Sequence, residues 1–124
     1  VILTVTLNPS VDRSLFLDQL KPHDANRVLR VETDAGGKGV NVARMAAALG
    51  EEVLATGFLG GGTGEFVMHV LDRERVPHEF VTVAGDTRVN TSVEDDTEQP
   101  PTTFNESGPE ISREEYGKLL FDLL

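Results

Sequence analysis

Ile2-Leu3-Thr4-Val5-Thr6-Leu7 is an unbroken run of apolar and β-branched residues that stops at Asn8-Pro9. Such a run predicts a buried strand closed by a turn and set in a central sheet. Two shorter extended segments are predicted next, Val11 to Leu17 and Arg27 to Thr33. In the second, Leu29, Val31 and Thr33 alternate with Val28, Arg30 and Glu32 and give one less polar face. The pair reads as a peripheral hairpin, joined by a loop from Asp18 to Asn26 that contains Pro22 and Asp24.

The period then changes. Val40, Ala43 and Ala47 fall on helical spacing in an alanine-rich stretch that runs to Leu49, and Gly50 is placed to cap it. This predicts a helix packed closely on a sheet. Val53 to Gly57 reads as the next strand, Gly60 to Gly64 as a second glycine-rich turn, and Gly64 to Glu74 as a helix with Phe66, Val67, Val70 and Leu71 on one face. His78 to Val83 reads as a further strand. Strand, helix, strand, helix, strand at these short spacings predicts a parallel α/β sheet with right-handed crossovers.

Arg88 to Glu94 and Thr102 to Phe104 flank an acidic, proline-containing turn and read as two more extended segments that join the peripheral hairpin. Ser112 begins a final helix, with Glu115 completing a capping box and Ile111 facing Tyr116 as a hydrophobic staple. Tyr116, Leu119, Leu120 and Leu123 form an apolar face that calls for a sheet to cover. The sequence starts at Val1 and stops at Leu124, with neither a C-cap glycine nor a following strand. The expectation is a piece of a longer protein.

Composition narrows the class. A chain of 124 residues with 39% hydrophobic content supports one domain with a modest core. It has no cysteine, which excludes disulfides and thiolate metal sites, and no apolar run approaches a membrane span or a signal-peptide core. No membrane partner is expected, and the cytoplasm is the expected location. His23, His69 and His78 do not pair at metal-ligand spacing, so no metal site built by the protein is expected. The net charge of −10 argues against nucleic acid as a partner. Residues 1–50 nevertheless hold six Lys/Arg against five Asp/Glu, whereas residues 51–124 hold five against sixteen. The first part of the chain is therefore the part that can accept a small anion.

Candidate chemistry centres on Ala35-Gly36-Gly37-Lys38-Gly39-Val40-Asn41, three glycines, a cation and an amide where an extended segment turns into a helix. Glycines let a ligand approach the backbone, and the free N–H groups of a helix start favour negative charge or sugar oxygens. Phosphate or polyol recognition is one reading; a tight strand-to-helix connection is the other. It is not a Walker A loop, because Glu32 and Gly39 stand where that motif needs a glycine and a Ser/Thr. A dinucleotide fingerprint fails too, at Val42 for this loop and at Glu65 and Val67 for the second.

Leu7-Asn8-Pro9-Ser10-Val11-Asp12, Asn26-Arg27-Val28, the Ala35 to Asn41 loop and Thr87-Arg88-Val89-Asn90 together resemble the ribokinase-like, or PfkB, sugar kinases. Thr103-Phe104-Asn105-Glu106-Ser107-Gly108-Pro109 narrows the resemblance to the 1-phosphofructokinase and tagatose-6-phosphate kinase branch. It implies an α/β, ribokinase-like parallel sheet flanked by helices, truncated before the ATP-binding half. Residues 1–124 would be the N-terminal part of one such domain, with β lid segments at approximately 11–34 and 87–105 inserted in the core.

It also implies transfer of the ATP γ-phosphoryl group, with Mg2+, to a hydroxyl of a phosphosugar. The first expectation is fructose 1-phosphate to fructose 1,6-bisphosphate. Tagatose-6-phosphate kinase, a non-catalytic sugar-phosphate-binding or dimerisation fragment, and a kinase of nucleosides or unphosphorylated sugars are the alternatives. Asp12 resembles the carboxylate that accepts hydrogen bonds from sugar hydroxyls. Gly36, Gly37 and Asn41 resemble backbone and amide contacts to the sugar, and Lys38 adds positive charge. Arg88 resembles the residue that binds the phosphate already on the substrate, where a guanidinium fork suits two phosphate oxygens. Arg27 is a secondary phosphate candidate acting across a subunit interface, because the lid of this family also serves as a dimer clasp. The family's catalytic base is an aspartate in a Gly-Ala-Gly-Asp motif, which this chain lacks. Val83-Ala84-Gly85-Asp86 imitates it, but Asp86 reads as a turn residue, and the base is expected beyond Leu124.

Overall fold

The computed structural model describes residues 1–124. The chain runs β1 (Ile2–Thr6), β2 (Ser10–Phe16), β3 (Arg30–Gly36), α1 (Lys38–Ala48), β4 (Val53–Leu59), α2 (Gly61–Arg73), β5 (His78–Thr82), β6 (Arg88–Glu94), β7 (Thr102–Asn105) and α3 (Arg113–Leu123). Two sheets form. One is parallel, in the order β1-β4-β5; the other has the order β3-β2-β6-β7, in which β2 and β6 run parallel and the outer pairs antiparallel. The four-stranded sheet is the predicted peripheral unit, and its base rests on α2 through Val11, Ala35 and Val89.

The main core lies where α1 and α2 cover the three-stranded sheet: Val40, Ala43 and Ala46 from α1, Val67, Val70 and Leu71 from α2, and Val53, Ala55 and Leu59 from β4. Alanines at the sheet-facing positions of α1 let it approach β1 closely. Gly50, with φ of 86°, ends this helix as expected, and the amides of Gly50 and Glu51 return to the carbonyls of Ala47 and Ala46.

Several boundaries differ from expectation, mainly at glycines. β3 starts at Arg30 rather than Arg27 and continues through Ala35 and Gly36, so the first half of the glycine loop is strand. α2 begins at Gly61, inside the second glycine run. β1 is only half buried: Thr4 and Thr6 face α1, while Leu3, Val5 and Leu7 point away from it and remain exposed. The final helix does form its capping box, with Ser112 and Glu115 bonded reciprocally. Of its apolar face, however, only Leu119 is buried, packed with Phe58, Val81 and Val83; Leu120 stands in solvent because the sheet ends at β5.

Arg44 ties three elements together. Its guanidinium donates from Nε to Glu74 Oε1 at 2.8 Å and from Nη2 to Glu74 Oε2 at 2.6 Å, lies 3.1 Å from Asp34, and donates to the carbonyl of Ala35 at 3.0 Å. These bonds hold the Glu74 carboxyl below its ordinary value of 4.5. A depressed carboxylate pKa contributes stability that is present above the unfolded value and lost as pH falls through the folded one. Arg44→Ala is expected to lower stability in urea titration by about 2 kcal/mol, and Arg44→Lys to recover less than half, since an ammonium lacks the fork. The loss of wild-type stability below pH 4.5 should be correspondingly shallower in Arg44→Ala.

Candidate functional site

Register across the four-stranded sheet places its polar residues in rows. Asp34 pairs with Asp12, Asp12 with Asn90, and Asn90 with Asn105, so four polar side chains cross the sheet on one face. Glu32, Ser14, Ser92 and Thr103 form the next row outward, and Gly36, Ser10 and Arg88 the row nearest the core. Over the middle rows lies a hollow of about 290 Å³, lined by Asp12, Arg13, Ser14, Asn90, Thr91, Ser92, Thr103 and Asn105, with no hydrophobic residue among them. A larger hollow of about 630 Å³ lies between β5 and α3. Its Glu114, Lys118 and Asp122 sit at single-turn spacing on an exposed helix, the ordinary pattern of a solvated face.

Ser10 Oγ donates to Asp12 Oδ1 at 2.7 Å. That pair exists because Gly36 has no side chain: a Cβ there would lie 2.1 Å from Asp12 Oδ2 and 2.7 Å from Ser10 Oγ. Gly37 is the N-cap of α1 with φ of 111°, a conformation that other residues rarely adopt, so the chain leaves the lid strand and enters the helix within two residues. Lys38 follows at the first helical position and is exposed.

Arg88 begins β6 beside Ser10 and is half-buried; its Nε is out of water's reach and has no partner. The second glycine run sets its position. Gly60 N donates to Thr87 Oγ1 at 3.0 Å, Thr87 N donates to the Gly60 carbonyl at 3.0 Å, and Thr63 Oγ1 donates to the Thr87 carbonyl at 2.6 Å. Gly60 is required by crowding, since a Cβ would lie 1.9 Å from the Gly85 carbonyl oxygen. Glu106 then braces the next residue of β6, accepting from Val89 N at 2.8 Å, and Asn8 Nδ2 donates to the Ser107 carbonyl at 2.9 Å.

Asp12, Gly36 and Arg88 are thus brought onto one surface, with Gly37 and Lys38 at its rim. Arg27 is not among them. It belongs to the loop beyond the Phe16–Arg30 pair, four residues and about 13 Å further along the strands than Asp12, and lines a separate hollow with Lys21 and Asn26. Asn41 lies on the exposed flank of α1 and lines depressions beside Met45 rather than the Asp12 hollow. Ser10, Asn90 and Asn105 were not singled out by sequence reasoning; all three stood inside quoted motifs, but their convergence depends on the pairing of β2 with β6 and of β6 with β7.

The candidate site thus sits where a polar β lid meets a glycine-led helix start on an α/β core. The family model described as pfkB family carbohydrate kinase matches residues 5–121, and the chain belongs to that family. Among solved structures, phosphofructokinase-2 of Escherichia coli, in complex with substrates and products, superposes with a TM-score of 0.92 at 32% identity, covering 98% of this chain and 40% of its own. A Thermotoga maritima protein described as a possible 1-phosphofructokinase gives 0.87 at 32% identity, covering 98% and 39%. A carbohydrate kinase of Agrobacterium tumefaciens gives 0.71 at 25% identity, covering 85% and 34%. The chain therefore spans at most about two fifths of the length of these relatives.

The clamp on Thr87 can be tested by an isosteric change. Thr87→Val leaves the buried Gly60 N–H without an acceptor and is expected to cost about 1 to 3 kcal/mol in chemical denaturation, whereas Thr87→Ser keeps most of the stability.

Proposed function

We propose that this chain is the acceptor-binding part of an ATP-dependent phosphosugar kinase that converts fructose 1-phosphate to fructose 1,6-bisphosphate. The observation that carries the reading is the side-by-side placement of Arg88, with an unpartnered buried Nε, and the Asp12–Asn90 row under an all-polar hollow. Arg88 binds the phosphate that the substrate already carries. Asp12 and the backbone of Gly36 and Gly37 take the sugar hydroxyls, and Lys38 adds positive charge at the helix start. A hollow without a hydrophobic lining suits a polyol and gives no platform for a nucleobase, which disfavours a nucleoside kinase. Phosphofructokinase-2 of E. coli has also been solved in complex with fructose-6-phosphate, a ligand of the same chemical class.

In the reaction the acceptor hydroxyl attacks the γ-phosphorus, the bond to ADP breaks, and a base takes the hydroxyl proton. This chain has no Gly-Ala-Gly-Asp motif to supply that base, and no group of three His, Asp or Glu side chains forms that could hold Mg2+. Its own residues orient the acceptor. Association through the lid belongs to the same proposal: Val31 and Phe104, on the face opposite Asp12, are 45% and 60% exposed, and a second copy seated there would give Arg27 a route to the neighbouring site.

Two measurements test the reading. The purified chain is expected to transfer no phosphate from ATP, and ATP-dependent phosphorylation of fructose 1-phosphate would refute that. Calorimetry is expected to show fructose 1-phosphate binding that Arg88→Ala abolishes, and competition with tagatose 6-phosphate ranks the two sugars. Absence of binding by the wild type would favour the dimerisation-fragment alternative.

A further inference from the structure

We infer that Asn90 is a substrate-binding residue that works with Asp12 on a single sugar hydroxyl and so helps to set specificity for a polyol. The inference rests on the phosphosugar reading above and assigns a role within that site.

Asn90 is held from both sides by backbone pairing, opposite Asp12 on β2 and opposite Asn105 on β7. Asn90 lines the hollow, yet its Oδ1 is out of water's reach and has no hydrogen-bond donor. An amide oxygen in that state is costly, and a residue with only a packing role would be better replaced by an apolar one of similar shape. Arg88 Nε, two residues earlier on the same face of the strand, is unpartnered in the same way. Two of the four buried side-chain polar atoms without a partner therefore lie on the Asn90 face of β6; the other two, the hydroxyls of Thr4 and Thr6, lie on β1 under α1.

The chemistry of the two facing groups is complementary. Asp12 only accepts hydrogen bonds, and one of its oxygens is already taken by Ser10. Asn90 offers both a donor and an acceptor, and rotation about its last side-chain bond exchanges the two. A hydroxyl needs both kinds of partner: it gives its proton to the Asp12 carboxylate and receives the Asn90 N–H on its oxygen, while the neighbouring hydroxyl of a polyol gives its proton to the otherwise unpartnered Asn90 Oδ1. An anion would be repelled by Asp12, so the ligand's charged group is placed one row inward at Arg88 and its hydroxyls in the Asp12–Asn90 row. Successive rows on one face lie about 6.6 Å apart. That separation suits a ligand carrying a phosphate at one end and hydroxyls along its body.

The test is calorimetry on the 124-residue chain with fructose 1-phosphate and, separately, with inorganic phosphate. Asn90→Ala is expected to weaken fructose 1-phosphate about tenfold while leaving inorganic phosphate unchanged, whereas Arg88→Ala loses both. Asn90→Asp should bind the sugar phosphate no better than Asn90→Ala, because it sets a second carboxylate beside Asp12. Equal affinity of the wild type and Asn90→Ala for fructose 1-phosphate overturns the inference and leaves the phosphosugar reading standing; no binding by the wild type overturns both. A measurement on the wild type guards against a folding defect in the variants. The side-chain amide resonances of Asn90 should shift with fructose 1-phosphate and not with inorganic phosphate, and resonances that stay put during saturable sugar-phosphate binding overturn the inference as well.

Discussion

The absence of a side chain at Gly36 is the constraint on which the rest of this structure depends. At that position the last residue of a lid strand, the carboxylate of Asp12 and the hydroxyl of Ser10 occupy the space that a methyl group would need. One residue later, Gly37 takes a backbone conformation that turns the chain into α1. Gly39 yields in the same way to Thr6, whose Oγ1 would lie 2.3 Å from an added Cβ. The glycines of this loop are accounted for by the chain's own packing, and the same packing sets Asp12 on the lid. The loop is therefore a tight strand-to-helix connection, and that geometry holds a carboxylate in place beside a helix start.

What the sequence made legible was whatever follows from local periodicity. The βαβαβ core, the Gly50 cap and the Ser112–Glu115 capping box all depend on residues within one turn or one strand of each other. Boundaries moved at the glycine runs because glycine is compatible both with ending a strand and with starting a helix, so propensity places no sharp edge there. Leu120 of α3 and Leu3 of β1 read as core residues, yet both are exposed; the helical or strand pattern names an apolar face without saying what covers it.

The site was legible only in part, for a related reason. Asp12, Gly36 and Arg88 could be picked out by motif, but the row that joins Asp12 to Asn90 requires β2 to pair in parallel with a strand more than seventy residues away. No local pattern announces such a pairing. The same holds for Arg44, which meets Glu74 thirty residues downstream, and for Thr87, which lies against the start of α2. Arg27 illustrates the converse. Its sequence context suggests a phosphate contact across a subunit interface, and only the length of β2 and β3 shows how far from Asp12 of its own chain it lies, at the tip of the lid.

The polarity of the candidate site is itself a consequence of the core beneath it. Side chains alternate along β2 and β6, so the strands that place Val11 and Val89 against α2 must turn Ser10, Asp12, Arg88 and Asn90 the other way. A slip of one residue would exchange the faces, burying Asp12 and Arg88 against α2 and bringing valines into the hollow. Burying a carboxylate and a guanidinium without partners costs far more than any single hydrophobic contact gains. The register is held twice at the inner end: the core row of Ala35, Val11 and Val89 packs against α2, and the hydrogen bonds of Thr87 to Gly60 and Thr63 fix where β6 begins. Changes confined to the outer rows, at Ser14, Ser92 or Thr103, can therefore alter the shape of the hollow while Asp12, Arg88 and Asn90 keep their places.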